Sequence, residues 1–138
     1  MKRKIVVVQD DKGLQNVFRM ILDRAGYEIE IYGDGMPILN NEFELPDLFL
    51  LDKKLPGVDG ISLCKFLKSQ TYTRHVPVII ISSNIGFGRS ALTAGAAAFV
   101  ENPYEIRGLL RIIEDHILAN EPEFTNPDFK SPNRSHYN

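Results

Sequence analysis

The chain has 138 residues, 43% of them apolar, and a net charge of −2. That leaves room for one domain with a proper core, and it gives no basic excess that would mark a nucleic-acid or anionic-membrane surface. The single cysteine, Cys64, excludes an internal disulfide, and no apolar run nears the ~18 residues of a membrane span. The opening MKRKIVVVQDD is too short in apolar residues for a secretion signal, so a cytoplasmic protein is expected.

In chain order, IVVV (5–8), LFLL (48–51) and VIII (78–81) are continuous and mostly branched, as strands buried on both faces are. EIEIY (28–32) alternates like an edge strand, and AFV (98–100) is a short fifth. Between the first two strands, Leu14, Val17, Phe18, Ile21, Leu22 and Ala25 recur at helical spacing, and Gly26 ends that helix. Asp34-Gly35 precedes a short helix with Pro37 in its first turn. Ile61, Cys64 and Leu67 mark a third helix capped by Asp59, with Cys64 as a small buried hydrophobe. RSALTAG predicts a fourth. Ile106, Leu109, Leu110, Ile113 and Ile117 form the stripe of a fifth. Strands alternating with helices mean βαβ units and a parallel sheet covered on both sides. From Asn120 onward three prolines and little periodicity predict a flexible tail over 120–138, behind a folded domain over 1–119. Phe124, Phe129 and Tyr137 offer the alternative that the tail docks on a partner or on the domain.

Sites in such sheets form at the carboxyl ends of the strands. Gln9-Asp10-Asp11 follow the first strand, Asp52 the third, Ser82, Ser83 and Asn84 the fourth, and Glu101, Asn102 and Pro103 the fifth. Acids gathered at one rim repel unless some are protonated or a cation sits among them. Oxygen ligands select a hard ion, Mg²⁺ or Mn²⁺. A carboxylate beside such an ion is placed to attack phosphorus, so Asp52 reads as a nucleophile. His75, His116 and His136 are scattered, without metal-ligand spacing.

PDLFLLDKKLPGVDG, KIVVVQDD, GYEIEIYGDG, VPVIIISS and AGAAAFVENPY together resemble the receiver domain of two-component response regulators over residues 4 to about 118. The resemblance implies a three-layer, flavodoxin-like (βα)5 fold with a five-stranded parallel sheet of order 2-1-3-4-5. It implies Asp52 as phosphoacceptor and Asp10 as direct metal ligand. The backbone carbonyl of Lys54 would also bind the ion, with Gln9 or Asp11 acting through water. Ser82 matches the hydroxyl that moves onto the phosphoryl group, and Phe99 the aromatic switch residue. An Asn102-Pro103 cis bond is implied as well.

Two positions depart from the pattern. Asn102 stands where the family has a lysine, and Gln9 where it has an acid. The pocket keeps roughly its net charge but loses an ion-pair clamp, and Lys54, or second Lys53, is the candidate substitute. The segment from Ser82 to Gly95 is about two residues short, which predicts a late or irregular fourth helix.

The expected function is a phosphorylation switch. A histidine kinase or phosphotransfer protein would phosphorylate Asp52 with Mg²⁺, and an altered surface would engage a downstream protein target. No catalysis is expected beyond Mg-dependent self-phosphorylation and dephosphorylation. No direct nucleic-acid or membrane contact is expected, since no helix-turn-helix pattern follows residue 120. A monomer or weak homodimer is anticipated. The alternative is a pseudo-receiver, an interaction module without a phosphate cycle. An aspartate-nucleophile phosphatase would need a second acid where Lys54 stands.

Overall fold

The structure, a computed structural model, describes residues 2–121. Five parallel strands, β1 (Lys4–Val8), β2 (Glu28–Tyr32), β3 (Leu48–Asp52), β4 (Val78–Ser82) and β5 (Ala98–Glu101), lie in the order β2-β1-β3-β4-β5. The helices are α1 (Lys12–Arg24), α2 (Met36–Leu39), α3 (Gly60–Ser69), α4 (Gly88–Thr93) and α5 (Ile106–Ala119). The order matches the expectation, and β2 is indeed an edge.

Strand alternation sorts the core into two layers. Val6, Val8, Phe49, Leu51, Val78 and Ile80 face Ile38 of α2, Ile61, Leu63, Cys64 and Leu67 of α3, and Ala91 of α4. Ile5, Val7, Leu48, Leu50, Ile79 and Ile81 face Phe18 and Leu22 of α1 and Leu109, Ile113 and Ile117 of α5. Both faces of the central strands are therefore covered, which is why their sequences are apolar throughout.

Asp59 caps α3, accepting the Ser62 N–H at 2.8 Å. Gly26, at φ +94°, follows α1 in the left-handed region that glycine adopts without penalty. Cys64 is fully buried and its thiol is pushed up to about 11 by that burial. The segment after β4 is irregular as expected: a 3-10 turn over Ile85–Phe87 precedes an α4 of only six residues.

Two helix stripes are narrower than the periodicity indicates. Val17 is 39% and Ile106 46% exposed, and Ala25 is also exposed. Ala25 and Ile106 lie at the ends of their helices, and Val17 lies at the margin of its stripe. No helix among the described residues is long and apolar enough to cross a membrane. The tail reading, including Phe124, Phe129 and Tyr137, falls outside the described residues.

Candidate functional site

The parallel register sets Val8 beside Leu51 and Asp52 beside Ile81. The next residue of the β1 chain, Gln9, thus arrives next to Asp52. Gln9 continues the alternation of Ile5 and Val7, and Asp52 that of Leu48 and Leu50, so both belong to the α1/α5 face. At this end of the sheet opens a cleft of about 830 Å³, lined by Gln9, Asp10, Asp11, Asp52, Lys54 and Asn102, together with Lys12 and Ser83.

Asp52 is half-buried, and each of its carboxylate oxygens has a donor. The Gln9 Nε2 donates to Oδ2 at 2.7 Å, and the Lys54 backbone N–H donates to Oδ1 at 3.0 Å. Gln9 is itself 2% exposed and pinned. Its Oε1 accepts the Asp11 N–H at 2.9 Å, and its backbone carbonyl accepts from Gln15 Nε2 at 2.5 Å. Asp11 also caps α1 through the Leu14 N–H at 2.9 Å. Asp10 is exposed within the cleft.

The opposite face holds a second group. Lys53 has the parity of Leu51 and turns toward α3 and the 3-10 turn. Its Nζ lies 3.2 Å from Asp59 Oδ2 and 4.0 Å from the centre of the Phe87 ring. Burial pushes the Asp59 carboxyl up, but the Ser62 N–H and hydroxyl and the Lys53 charge outweigh it, and the net shift is downward. Ser82 shares the parity of Val78 and Ile80. It is buried and its Oγ accepts the Asn84 N–H at 3.0 Å, while Ser83 is the residue that lines the cleft. Phe99 packs with Phe87 into the α3/α4 layer, and a Cβ on Gly88 would stand 3.4 Å from its ring.

Gly60 carries the approach of α3 to the site. A Cβ there would stand 2.3 Å from the Asp52 carbonyl oxygen, so only glycine lets the helix start directly against the phosphoacceptor candidate's backbone. The Gly60 N–H donates to the Lys53 carbonyl at 2.9 Å and ties the loop shut.

Three residues near the site escaped the sequence reading. Lys12 brings a further cation to the cleft; its position directly after two acids was the available signal. Gln15 sits one turn beyond Asp11, a spacing that places both on one helix face. Tyr104 is half-buried in the α1/α5 layer, and burial and then the Asp52 charge raise its phenol above the usual value. The Asn102-Pro103 bond is cis.

Among the described residues no three His, Cys, Asp or Glu side chains converge as a metal cluster. The cleft offers three carboxylates, Asp10, Asp11 and Asp52, of which Asp11 is engaged as the α1 cap. That donor set fits Mg²⁺, which keeps several waters and takes one or two carboxylates, better than a zinc or calcium cage.

Residues 5–114 match the response regulator receiver domain. The chain belongs to that family. Its curated relatives include the DNA-binding response regulator MtrA of Mycolicibacterium smegmatis, 31% identical over 129 residues, a match covering 89% of this chain and 54% of MtrA. The receiver thus spans about half the length of such relatives. Among solved structures, a putative response regulator from Chloroflexus aurantiacus is 26% identical with a TM-score of 0.81, covering 86% of this chain and 99% of that one. The receiver domain of sensor histidine kinase PA1611 from Pseudomonas aeruginosa is 28% identical with a TM-score of 0.77, covering 85% of this receiver and 98% of that chain. That structure is described with a magnesium ion coordinated in its active-site cleft.

Proposed function

We propose that this receiver is a phosphorylation switch in which Asp52 accepts a phosphoryl group from the histidine of a kinase or phosphotransfer protein. One observation carries the reading: Asp52 ends β3 in an open cleft that it shares with Asp10. In the transfer an Asp52 oxygen forms a bond to phosphorus while the bond from phosphorus to the donor's histidine nitrogen breaks. A Mg²⁺ or Mn²⁺ bound by Asp10, Asp52 and the Lys54 carbonyl, with Asp11 acting through water because both polar atoms of the Gln9 amide are already engaged, would offset charge on the transferring group.

The chain's own residues supply the rest. Asn102 contributes a hydrogen-bond donor but no charge. The ammonium of Lys54, and that of Lys12, make up part of the missing positive charge, because both line the cleft. Lys53 is committed to Asp59 and Phe87 on the other face. Ser82 and Phe99 form the switch side, and since Phe99 lies against Gly88 at the start of α4, its movement alters the α4–β5–α5 surface offered to a target protein.

Incubation with acetyl phosphate and Mg²⁺, followed by intact-mass measurement, tests this. The expected result is a gain of one phosphoryl group in the wild type and none in Asp52→Asn. A chain that stays unmodified at saturating donor would refute the switch and leave an interaction module.

A further inference from the structure

We propose that Gln9 is a positioning residue. Its carboxamide does the work that a cation does between paired acids, linking the end of β1 directly to the Asp52 carboxylate. The inference rests on the phosphoacceptor reading of Asp52 and adds to it a device for holding that group.

The orientation of the amide follows from its partners. The Asp11 backbone N–H only donates, so the atom it meets at 2.9 Å is the Gln9 oxygen. The NH₂ group then faces Asp52, a carboxylate that accepts, at 2.7 Å. Gln9 cannot swing away cheaply. It is 2% exposed, its backbone N–H donates to the Tyr32 carbonyl at 2.9 Å, and its own carbonyl is held by Gln15. An acid at position 9 would bring two negative groups to the same separation, and the pair would need a proton or a cation to stay there. With glutamine, the two donors from Gln9 and Lys54 engage both Asp52 oxygens. The arrangement predicts a phosphoacceptor that is oriented before metal binds, and a weaker hold on a divalent cation than the same pocket would have with an acid at position 9.

Three variants and one spectrum test this. The wild type should melt at nearly the same temperature in EDTA and in Mg²⁺. Gln9→Glu, which keeps the shape, should melt lower in EDTA and regain its stability with Mg²⁺. It should also bind Mg²⁺ at least about tenfold more tightly by calorimetry, since a charge has been added a few ångströms from the ion. Gln9→Leu should label with acetyl phosphate at least about tenfold more slowly, with Mg²⁺ affinity within about threefold of wild type, because orientation rather than metal binding is lost. In the wild type, one side-chain NH₂ proton of Gln9 should resonate downfield and shift back in Asp52→Ala. A Gln9→Glu protein indifferent to EDTA, a Gln9→Leu protein labelled at the wild-type rate, or an unshifted Gln9 amide would overturn the proposal. If Gln9→Leu fails to fold, the glutamate variant and the spectrum still decide. If the wild type takes no phosphoryl group, the phosphoacceptor reading fails, while the melting and NMR results still report on the Gln9–Asp52 link.

Discussion

Replacing Gly60 by alanine places a methyl group 2.3 Å from the Asp52 carbonyl oxygen, 2.9 Å from its carbonyl carbon and 3.0 Å from Lys53 Cα. All three neighbours are backbone, so no side chain can rotate out of the way. The helix start or the end of β3 must retreat by at least ~0.7 Å to reach even the shortest tolerated contact in a close-packed interior. Overpacking of this kind costs roughly 1–3 kcal/mol, and backbone on both sides argues for the upper half of that range. In a chain of this size the loss corresponds to roughly 6–15 °C in Tm. The same shift moves the Asp52 carboxylate, and a displacement approaching ~1 Å is enough to slow a positioned reaction by up to about a hundredfold. Gly57 provides the control. It sits in the same loop at φ +78°, and a Cβ there would have nothing within 4 Å, so alanine meets only the left-handed backbone penalty of roughly 1–2 kcal/mol. Urea denaturation and acetyl-phosphate labelling should therefore separate the two. Gly60→Ala should lose stability and labelling rate together, whereas Gly57→Ala should lose stability with labelling within about threefold of wild type. A Gly60→Ala protein as stable as wild type to within ~0.5 kcal/mol would refute the steric reasoning.

Lys54→Ala should slow acetyl-phosphate labelling at least about fivefold more than Lys53→Ala, because a cation near the transferring group acts through space and only Lys54 lines the cleft; equal, small effects would dismiss the charge-substitute idea. Cys64 should react with a thiol reagent only as fast as the protein unfolds, since it is buried and its thiol lies near 11; rapid labelling of the native protein would contradict its placement. The Asp59 carboxyl lies lower in the folded chain than its ordinary value of 3.8, so its charge contributes stability above that pH, and the contribution drains away as pH falls through the folded value. Asp59→Asn keeps a cap but not the charge, so its deficit in urea midpoint against wild type should be full at neutral pH and shrink as pH falls below the ordinary value of 3.8. A deficit that does not change with pH would assign the loss to capping alone.

Much of this was legible in the residues, for physical reasons that differ from element to element. β1, β3 and β4 announce themselves because burial on both faces forces continuous apolar runs, and the polar residues that interrupt them, Gln9, Asp52 and Ser82, mark the strand ends. Asp59 reads as a cap because short acids are favoured where helix N–H groups lack partners. The distinction between Lys53 and Lys54 was present in strand parity, since residues on either side of Asp52 alternate faces. Three features needed tertiary contacts. By the family resemblance Gln9 is a missing acid, and only the β1–β3 register turns it into a donor aimed at a residue 43 positions away. Gly60 reads as an ordinary turn glycine until α3 is seen against the Asp52 carbonyl. Val17 and Ile106 satisfy the helical period, yet both are more than a third exposed, at the margin of one stripe and the first residue of the other helix.

The central claim is that the phosphoryl group resides on Asp52 and on no other side chain. Borohydride reduction of the acetyl-phosphate-treated receiver, followed by peptide mass mapping, addresses it directly, because an acyl phosphate is reduced to the corresponding alcohol whereas a free carboxylate and a phosphoester are not. The account predicts conversion of Asp52 alone to homoserine, dependent on Mg²⁺ and abolished in Asp10→Asn. Reduction at Asp10 or Asp11, or phosphate retained on a serine with Asp52 unchanged, would contradict it.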